Sequence, residues 1–234
     1  NGWALTLQGS RASGDGYATG TDFHVYSYFA NISKRFNDNH QLSLTAFGAP
    51  QRHHMRSNGL TKSEWDFVKR TYEGEKHWTR YNPSYGFDSN GQVKSSDYNK
   101  YHKPEVFVNH IWQINDKSNL STTVYASWGR GYSYSGKANS DTYSEYDWYA
   151  ADYGKLNRTF RCPDGTFDYA AIENINISSK NGSQMIMSTN GADQDWYGAV
   201  STFSTKFLDC LDWHFGGDLR YYKANHVNRI IHLY

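Results

Sequence analysis

The chain has 234 residues, and its 24 basic and 23 acidic side chains give a formal net charge of +1. This near-neutral balance argues against a nucleic-acid-binding protein, which needs a basic face. No stretch of 18 apolar residues occurs, which excludes a membrane-spanning helix. The sequence opens Asn1-Gly2-Trp3-Ala4 without the basic and apolar segments of a signal peptide, so we expect a cytoplasmic protein, a mature chain or a fragment.

Aromatic residues are unusually abundant. They make up 17% of the chain, while all hydrophobic residues together make up 38%. Soluble cores normally depend on Leu, Ile and Val. A chain rich in Tyr, Trp and Gly but poor in aliphatic residues is typical of a carbohydrate-handling β protein or of an outer-membrane β-barrel with aromatic girdles.

Seven segments alternate between apolar and polar residues with a period of two, which predicts β-strands that have two different faces. Most have about the 9–11 residues that a tilted strand needs to cross a bilayer. In chain order they are Trp3–Gln8, Phe23–Phe36, Gln41–Gly48, Glu105–Ile114, Leu120–Arg130, Tyr197–Phe207 and a seventh that begins at Leu211.

Short and long connections alternate along these segments. The short ones are Asn37–His40, Asn115–Asn119 and Leu208–Cys210, and they predict hairpin turns. The long ones are residues 9–22, 49–104 and 131–196. This asymmetry is typical of a transmembrane barrel with short periplasmic turns and long extracellular loops.

Seven is an odd number of strands, so we expect further strands to be needed to close a barrel. Bacterial single-chain barrels have an even number of strands, and an open sheet would expose unpaired edges in hydrocarbon. After the seventh strand, Asn225–Ile230 reads as the start of another loop. The expectation is an all-β fold in which residues 1–234 form part of one antiparallel transmembrane β-barrel domain.

The two cysteines, Cys162 and Cys210, lie in connections expected at opposite ends of the molecule, which disfavours a disulfide. No Cys/His spacing indicates a metal site, and the adjacent His53 and His54 read as surface residues. Asp88-Ser89-Asn90-Gly91 lacks the later acidic residue of a calcium loop and predicts a turn. We expect no cofactor, no resident metal and no catalytic residue.

Several strings resemble the barrel of Bacteroidetes-type TonB-dependent receptors, and the resemblance extends roughly from Trp3 to Tyr222. The strings are Gly14-Asp15-Gly16-Tyr17, Gly20-Thr21-Asp22-Phe23, Tyr26-Ser27-Tyr28-Phe29, Leu42 through Gln51, Tyr81-Asn82-Pro83-Ser84-Tyr85-Gly86, His102-Lys103-Pro104 and Asn109-His110-Ile111-Trp112.

The resemblance implies a 22-stranded outer-membrane barrel blocked by a plug domain. Such receptors import scarce or bulky nutrients, including iron chelates, cobalamin, glycans and peptides, with energy delivered by TonB through the plug. The expected partners are therefore outer-membrane lipid, the TonB complex, a nutrient and, by resemblance to glycan importers, a surface lipoprotein. By this resemblance we expect the plug, the TonB box and the C-terminal barrel strands to lie outside these 234 residues.

The long connections are the expected source of ligand-binding residues, because aromatic side chains among polar groups suit sugars and large polar nutrients. A solvated loop that packs on itself is the competing interpretation. The candidates are Trp78 and Tyr81 in residues 49–104, and Tyr132, Tyr134, Tyr143, Asp147, Trp148 and Tyr149 in residues 131–196. A short amphipathic helix is also expected within Lys62–Tyr72.

The polar face of the seventh strand carries Asp212, His214, Asp218 and Arg220. We expect these side chains to face the lumen, where they either keep it polar or hydrogen-bond the plug, because charges facing lipid are costly.

Two other functions remain open from the sequence. A secreted carbohydrate-binding domain or glycosidase would explain the aromatic residues and the acidic long loop, although it leaves the one-sided loop lengths unexplained. A structural or adhesin barrel shares the barrel features and differs in lacking a plug.

Overall fold

The computed structural model describes residues 1–56, 59–72, 74–139, 141–143, 151–208 and 210–234. In chain order its elements are β1 (Trp3–Gly14), β2 (Phe23–Arg35), β3 (His40–Gly48), β4 (Gln51–His54), α1 (Lys62–Thr71), α2 (Gly74–His77), a 3₁₀ helix (Trp78–Arg80), β5 (Tyr85–Phe87), β6 (Val93–Ser95), β7 (Tyr98–His102), β8 (Glu105–Asn115), β9 (Ser118–Ala138), β10 (Ala151–Asp152), β11 (Lys155–Leu156), β12 (Phe167–Asp168), α3 (Tyr169–Ser178), β13 (Met185–Phe207) and β14 (Leu211–His232).

The main sheet is an antiparallel meander of seven long strands. Pro50 and Pro104 interrupt two of them, so that β3 continues as β4 and β7 continues as β8. Proline has no N–H to give to the ladder, which explains both breaks. The register continues unchanged across each break, since β2 pairs with β3 and then β4, and β9 pairs with β8 and then β7. The predicted all-β antiparallel fold and its seven segments are confirmed.

The strands are longer than the sequence pattern predicts. β9 has 21 residues, β13 has 23 and β14 has 22. The long connections shrink accordingly to residues 15–22, 55–97 and 139–184. The expectation of a loop at Asn225–Ile230 is wrong, because β14 continues through these residues in pairing with β13.

Register places most of the aliphatic side chains of the seven strands on one face. One row across four neighbouring strands reads Leu44, Val108, Val124 and Ala199, and Leu219 extends it to β14. We call this side the apolar face, and the opposite side, rich in Ser, Thr and Asn, the polar face. Side-chain pairs such as Asn31–Thr45 (2.7 Å) link neighbouring strands on the polar face.

Aromatic residues border the apolar face at both ends, as the sequence predicts. Trp3, Trp112 and Trp213 lie toward the short turns. Toward the long connections, Trp128 Nε1 donates to the Tyr197 hydroxyl oxygen at 3.0 Å. Amphipathic rings in two separate rows suit the two boundaries of a bilayer.

The long connections fold together into a small body, the loop unit, made of the described parts of residues 55–97 and 139–184. A three-stranded sheet links the two connections: β12, from the second connection, pairs in parallel with β5 from the first. A Cβ at Gly86 would lie 1.9 Å from the backbone oxygen of Phe167, so only glycine permits this pairing. Two buried clusters, around Tyr169 and around Val68, form its core.

The predicted helix within Lys62–Tyr72 is confirmed as α1, which begins after Thr61 and buries Val68. Within the described ranges no helix combines the length and apolar character needed to cross a membrane.

Candidate functional site: an aromatic stripe on the polar face

The polar face contains a row of large aromatic side chains toward its loop end. Small polar residues otherwise dominate this face, so these rings are an exception that the strand alternation alone does not explain. We define the aromatic stripe by its residues Phe29, Phe47, Phe107, Tyr125, Trp196 and Tyr222.

Neighbouring strands place these rings next to one another. Phe29 lies directly opposite Phe47, whose ring stacks on Phe107 with the centroids 5.7 Å apart. The ring centroids of Tyr125 and Phe107 are 6.0 Å apart. Trp196 contacts Tyr222 edge to face, with the ring centroids 5.8 Å apart. The stripe thus has one ring from each long strand between β2 and β14, whereas β1 has Gln8 opposite Phe29.

A glycine makes room for the stripe at its centre. Gly198 lies opposite Tyr125, and a Cβ there would come within 2.4 Å of the tyrosine ring and hydroxyl. The phenol therefore lies across the backbone of β13. Arg220, on the next strand, is directly opposite Gly198.

Two ion pairs flank the rings. Lys103 Nζ is 2.8 Å from Glu105 Oε1 and also lies 5.6 Å from the Trp196 ring centroid. Asp218 accepts a hydrogen bond of 2.7 Å from Arg220 Nε. The stripe therefore offers flat apolar surfaces edged by charges of both signs.

A cavity of about 280 Å³ opens between these groups. It is lined by Lys103, Glu105, Phe107, Tyr125, Ser127, Trp196 and Arg220. Ser127 is only 5% exposed, and neither its hydroxyl nor the Trp196 Nε1 donor has a hydrogen-bond partner within the part of the chain that the structure describes. Buried polar atoms usually have partners, so these two unpaired atoms beside the cavity are exceptions.

The four charged or titratable residues predicted for the lumen all lie on the polar face. Asp218 and Arg220 lie beside the aromatic stripe, while Asp212 and His214 lie closer to the short turns. His214 Nδ1 is 2.9 Å from Ser204 Oγ. Contact with a plug remains a prediction.

The predicted ligand residues of the second connection are placed differently from the expectation. Tyr132 and Tyr134 belong to strand β9 rather than to a loop, because the ladder with β13 runs to Ala138. Tyr132 donates to Asp193 on the apolar face, and Tyr134 stacks on Tyr98 with the centroids 4.3 Å apart.

Other candidates belong to the core of the loop unit. Tyr81 is 3% exposed, and its hydroxyl donates to the Gly165 carbonyl at 2.8 Å. Trp78 is half-buried against Trp65, and Tyr143 packs near Phe160. These contacts support the self-packing interpretation for the three candidates. Asp147, Trp148 and Tyr149 lie outside the described residues.

Buried polar groups hold the two connections together. Tyr169 is fully buried, and its hydroxyl donates to the Ser84 carbonyl and accepts from the Ser96 amide, both at 2.7 Å. Burial raises the pKa of this phenol. Arg161 reaches the carbonyls of Pro83 and Asn157, and burial lowers the pKa of its guanidinium. These residues hold the shape of the loop unit.

Metal ligands do not cluster in the described ranges, where no group of three His, Cys, Asp or Glu side chains could hold an ion. Asp88–Gly91 forms the predicted turn, with the Gly91 amide donating to the Asp88 carbonyl at 2.9 Å. Cys162 and Cys210 are both free thiols.

No protein-family profile matches the sequence, and no curated protein matches it. Among solved structures, it is similar to the closed form of the ferric-catecholate import receptor Fiu from Escherichia coli K12, with a TM-score of 0.54 and 10% identity. Against the open form the TM-score is 0.55 at 9% identity. The likeness covers 99% and 100% of this chain but only 30% and 33% of the receptor chains.

At such identities the likeness shows the fold alone. The chain is folded like about a third of that import receptor.

Proposed function

We propose that the chain is part of the barrel of a TonB-dependent outer-membrane importer and that the aromatic stripe forms part of the wall that its nutrient contacts. The observation that carries this proposal is the separation of the seven-stranded sheet into an apolar face with two aromatic borders and a polar face. A soluble carbohydrate-binding domain would have to cover the apolar face with protein.

Exposure of the apolar face supports a lipid environment. Leu5, Leu7, Phe215 and Leu219 are each between 65% and 79% exposed. Soluble proteins rarely leave a contiguous apolar surface of this kind open to water. The short turns at one end and the loop unit at the other fit the periplasmic and extracellular sides of an outer-membrane barrel.

The edges of the sheet support a larger barrel. Within the described residues, β1 pairs only with β2 and β14 only with β13. Unpaired edges are not tolerated in hydrocarbon, so further strands would have to close the sheet. A barrel of 22 strands with a plug, driven by TonB, agrees with the chain spanning about a third of its structural neighbours.

The stripe supports nutrient binding. Stacked rings with charged groups at their edges suit a large polar nutrient such as a glycan, a peptide or an aromatic metal chelate. Because the structural neighbours are ferric-catecholate import receptors, ferric catecholates are the first nutrients to test. The narrower resemblance to Bacteroidetes-type receptors, and a lipoprotein partner, remain predictions.

Fractionation of the cell envelope tests the location. The full-length protein that contains this chain should sediment with the outer membrane and resist extraction by urea. Recovery in the soluble fraction would contradict the importer proposal and favour a soluble carbohydrate-binding protein.

A pair of tryptophan variants tests the role of the stripe. Trp196→Ala removes a ring from the polar face, and Trp213→Ala removes an exposed ring from the apolar face as a matched control. Uptake of labelled ferric catecholate, cobalamin, glycan and peptide by cells identifies the nutrient, and purified protein then gives Kd. We expect Trp196→Ala alone to weaken binding by roughly thirty-fold, as for a central aromatic contact. Equal affinity in both variants would contradict this role.

A further inference from the structure

A second group of charged side chains lies on the opposite side of the sheet. Toward its loop end, the apolar face changes from aliphatic to basic residues. We define the basic cluster by Arg11, His24, Arg52, Lys100 and His102, which register places on the same face as Val124.

The basic side chains face one another directly. His24 is opposite Arg52, and Arg52 is opposite Lys100 on the next strand. Like charges at directly opposed positions of a sheet repel each other and destabilise the pairing. In the described ranges, neither Arg52 nor Lys100 has an acidic partner within ion-pair distance.

The nearby acidic groups are already engaged. Asp22 bonds to His54 at 2.7 Å and lies 3.8 Å from His24. On the neighbouring strands, Asp195 pairs with Arg130 at 2.8 Å. The positive charge of Arg52 and Lys100 is therefore not neutralised by the sheet itself.

The cluster surrounds a cavity of about 330 Å³. The cavity is lined by Arg52 and Lys100 together with His24, Tyr26, Pro50, Gln51, Tyr101 and His102. Tyr26 provides an apolar surface, and Arg11 lies 5.7 Å from the centroid of its ring. The Tyr28 hydroxyl, toward the aliphatic band, is 3.2 Å from His102 Nε2.

The loop unit rests against this same side of the sheet. Met185 and Met187 belong to the buried cluster around Tyr169, and Tyr134 and Ala138 pack against it. All four side chains are on the apolar face. The basic cluster thus lies between the apolar band below and the loop unit above.

We propose that the basic cluster binds the phosphate of a lipid headgroup at the outer surface of the membrane. This inference rests on the proposed outer-membrane location, because only then does the apolar band below the cluster adjoin acyl chains. The position is that of a headgroup, just beyond the Tyr26 and Tyr28 rings. Arg52 and Lys100 supply the positive charge that favours an anionic lipid surface.

A cavity on the apolar band favours a lipid over free phosphate. It has a volume of about 560 Å³ and is lined mainly by apolar side chains, among them Val106, Val124, Ala199 and Leu219. Trp128 and Tyr197 border it on the loop side. A lipid whose headgroup met the cluster would have acyl chains at this depth.

The test compares two double variants of the full-length protein. Arg52→Gln/Lys100→Gln removes the unpaired charges, and Lys155→Gln/Lys180→Gln removes two exposed lysines of the loop unit as a matched control. Each protein is placed in phosphatidylcholine nanodiscs, and binding of fluorescent diphosphoryl lipid A is titrated. Equal heat-modifiable migration in electrophoresis verifies that the variants are folded.

We expect the cluster variant to bind the lipid roughly thirty-fold more weakly than the parent and the control. Equal binding by all three would overturn the inference while leaving the importer proposal intact. Displacement of the lipid by inorganic phosphate alone would also overturn it, because the site would then recognise a free anion. Absence of the parent from the outer membrane would refute the proposed function and this inference together.

Discussion

A charge placed at the middle of the sheet should distinguish the two faces. Val124 lies on the apolar face and Val200 on the polar face, in adjacent rows of strands β9 and β13. Their side chains are 53% and 38% exposed, so neither is a core residue. The same substitution, Val→Arg, can therefore be made at one depth on both sides.

The structure gives the expected magnitude. Val124 lies four residues from both Leu120 and Trp128, or roughly 14 Å along the strand in each direction. An arginine that faces lipid at the bilayer midplane costs about 2–4 kcal/mol. Val200 is opposite Asp218, so an arginine there gains an acidic neighbour in a polar environment and should cost about 0–1 kcal/mol.

Urea titration of the full-length protein in phospholipid vesicles measures the difference. Val124→Arg should lower the free energy of unfolding by at least 2 kcal/mol more than Val200→Arg does, which is roughly a thirty-fold change in the folding equilibrium. Equal losses would mean that both faces meet similar surroundings. A larger loss for Val200→Arg would reverse the assignment of the faces and refute the barrel orientation.

Three further predictions concern the loop unit. Gly86→Ala should separate β5 from β12 and speed proteolysis of the loop unit, because the new Cβ would lie 1.9 Å from the Phe167 backbone oxygen. Gly59→Ala is the control, and it should leave the rate of proteolysis unchanged because a Cβ there meets open space. Tyr169→Phe should lower the free energy of unfolding by about 1–3 kcal/mol, since it removes the partner of the buried Ser84 carbonyl and of the part-buried Ser96 amide. Unchanged amide exchange of the loop unit would contradict this. Backbone hydrogen bonds from residues 92 and 90 hold the pKa of Asp88 below its usual value. The carboxylate should therefore stabilise the turn at neutral pH, and this stabilisation should disappear as the pH falls through the lowered pKa. Amide exchange at residues 90–92 should then become faster, and Asp88→Asn should not show this pH dependence.

Sequence alternation predicts the middle level of the sheet but not its extension toward the long connections. Within the expected strands, Leu and Val alternate with Ser and Thr, and the pattern identifies both faces. Above that level β13 begins Met185-Ile186-Met187-Ser188-Thr189-Asn190, where the period of two is lost. The extension is stabilised instead by continuous ladders with β9 and β14.

The loop unit was beyond sequence reasoning for a related reason. Its two connections meet through a two-residue parallel pairing and through single side chains that reach distant carbonyls. Tyr81 is an example: its hydroxyl, in the first connection, donates to the Gly165 carbonyl of the second at 2.8 Å. Such contacts leave no periodic signal, although α1 could be predicted from its spacing of apolar residues.

The stripe, by contrast, did leave a signal in the sequence. On β2 and β3 the polar faces read Ser, Asn and Thr until Phe29 and Phe47 interrupt them, and Phe107 and Tyr125 do the same on the next two strands. Alternation places Phe47 and Tyr125 on the polar faces of their strands, but it cannot tell which residues of neighbouring strands are opposite each other. Only the register shows that they lie side by side.

Two structural demands account for many of the aromatic residues, but not for those of the stripe. Rings such as Trp213 and Tyr197 border the apolar face, where a flat side chain with one polar atom suits the boundary between lipid and water. Tyr81 and Tyr169 fill the loop unit, whose backbone carbonyls accept hydrogen bonds from the buried phenols. The stripe satisfies neither demand, because it lies neither at an apolar border nor in a core. Its position on a polar face is therefore the strongest structural reason to assign ligand contact there rather than to the loop tyrosines.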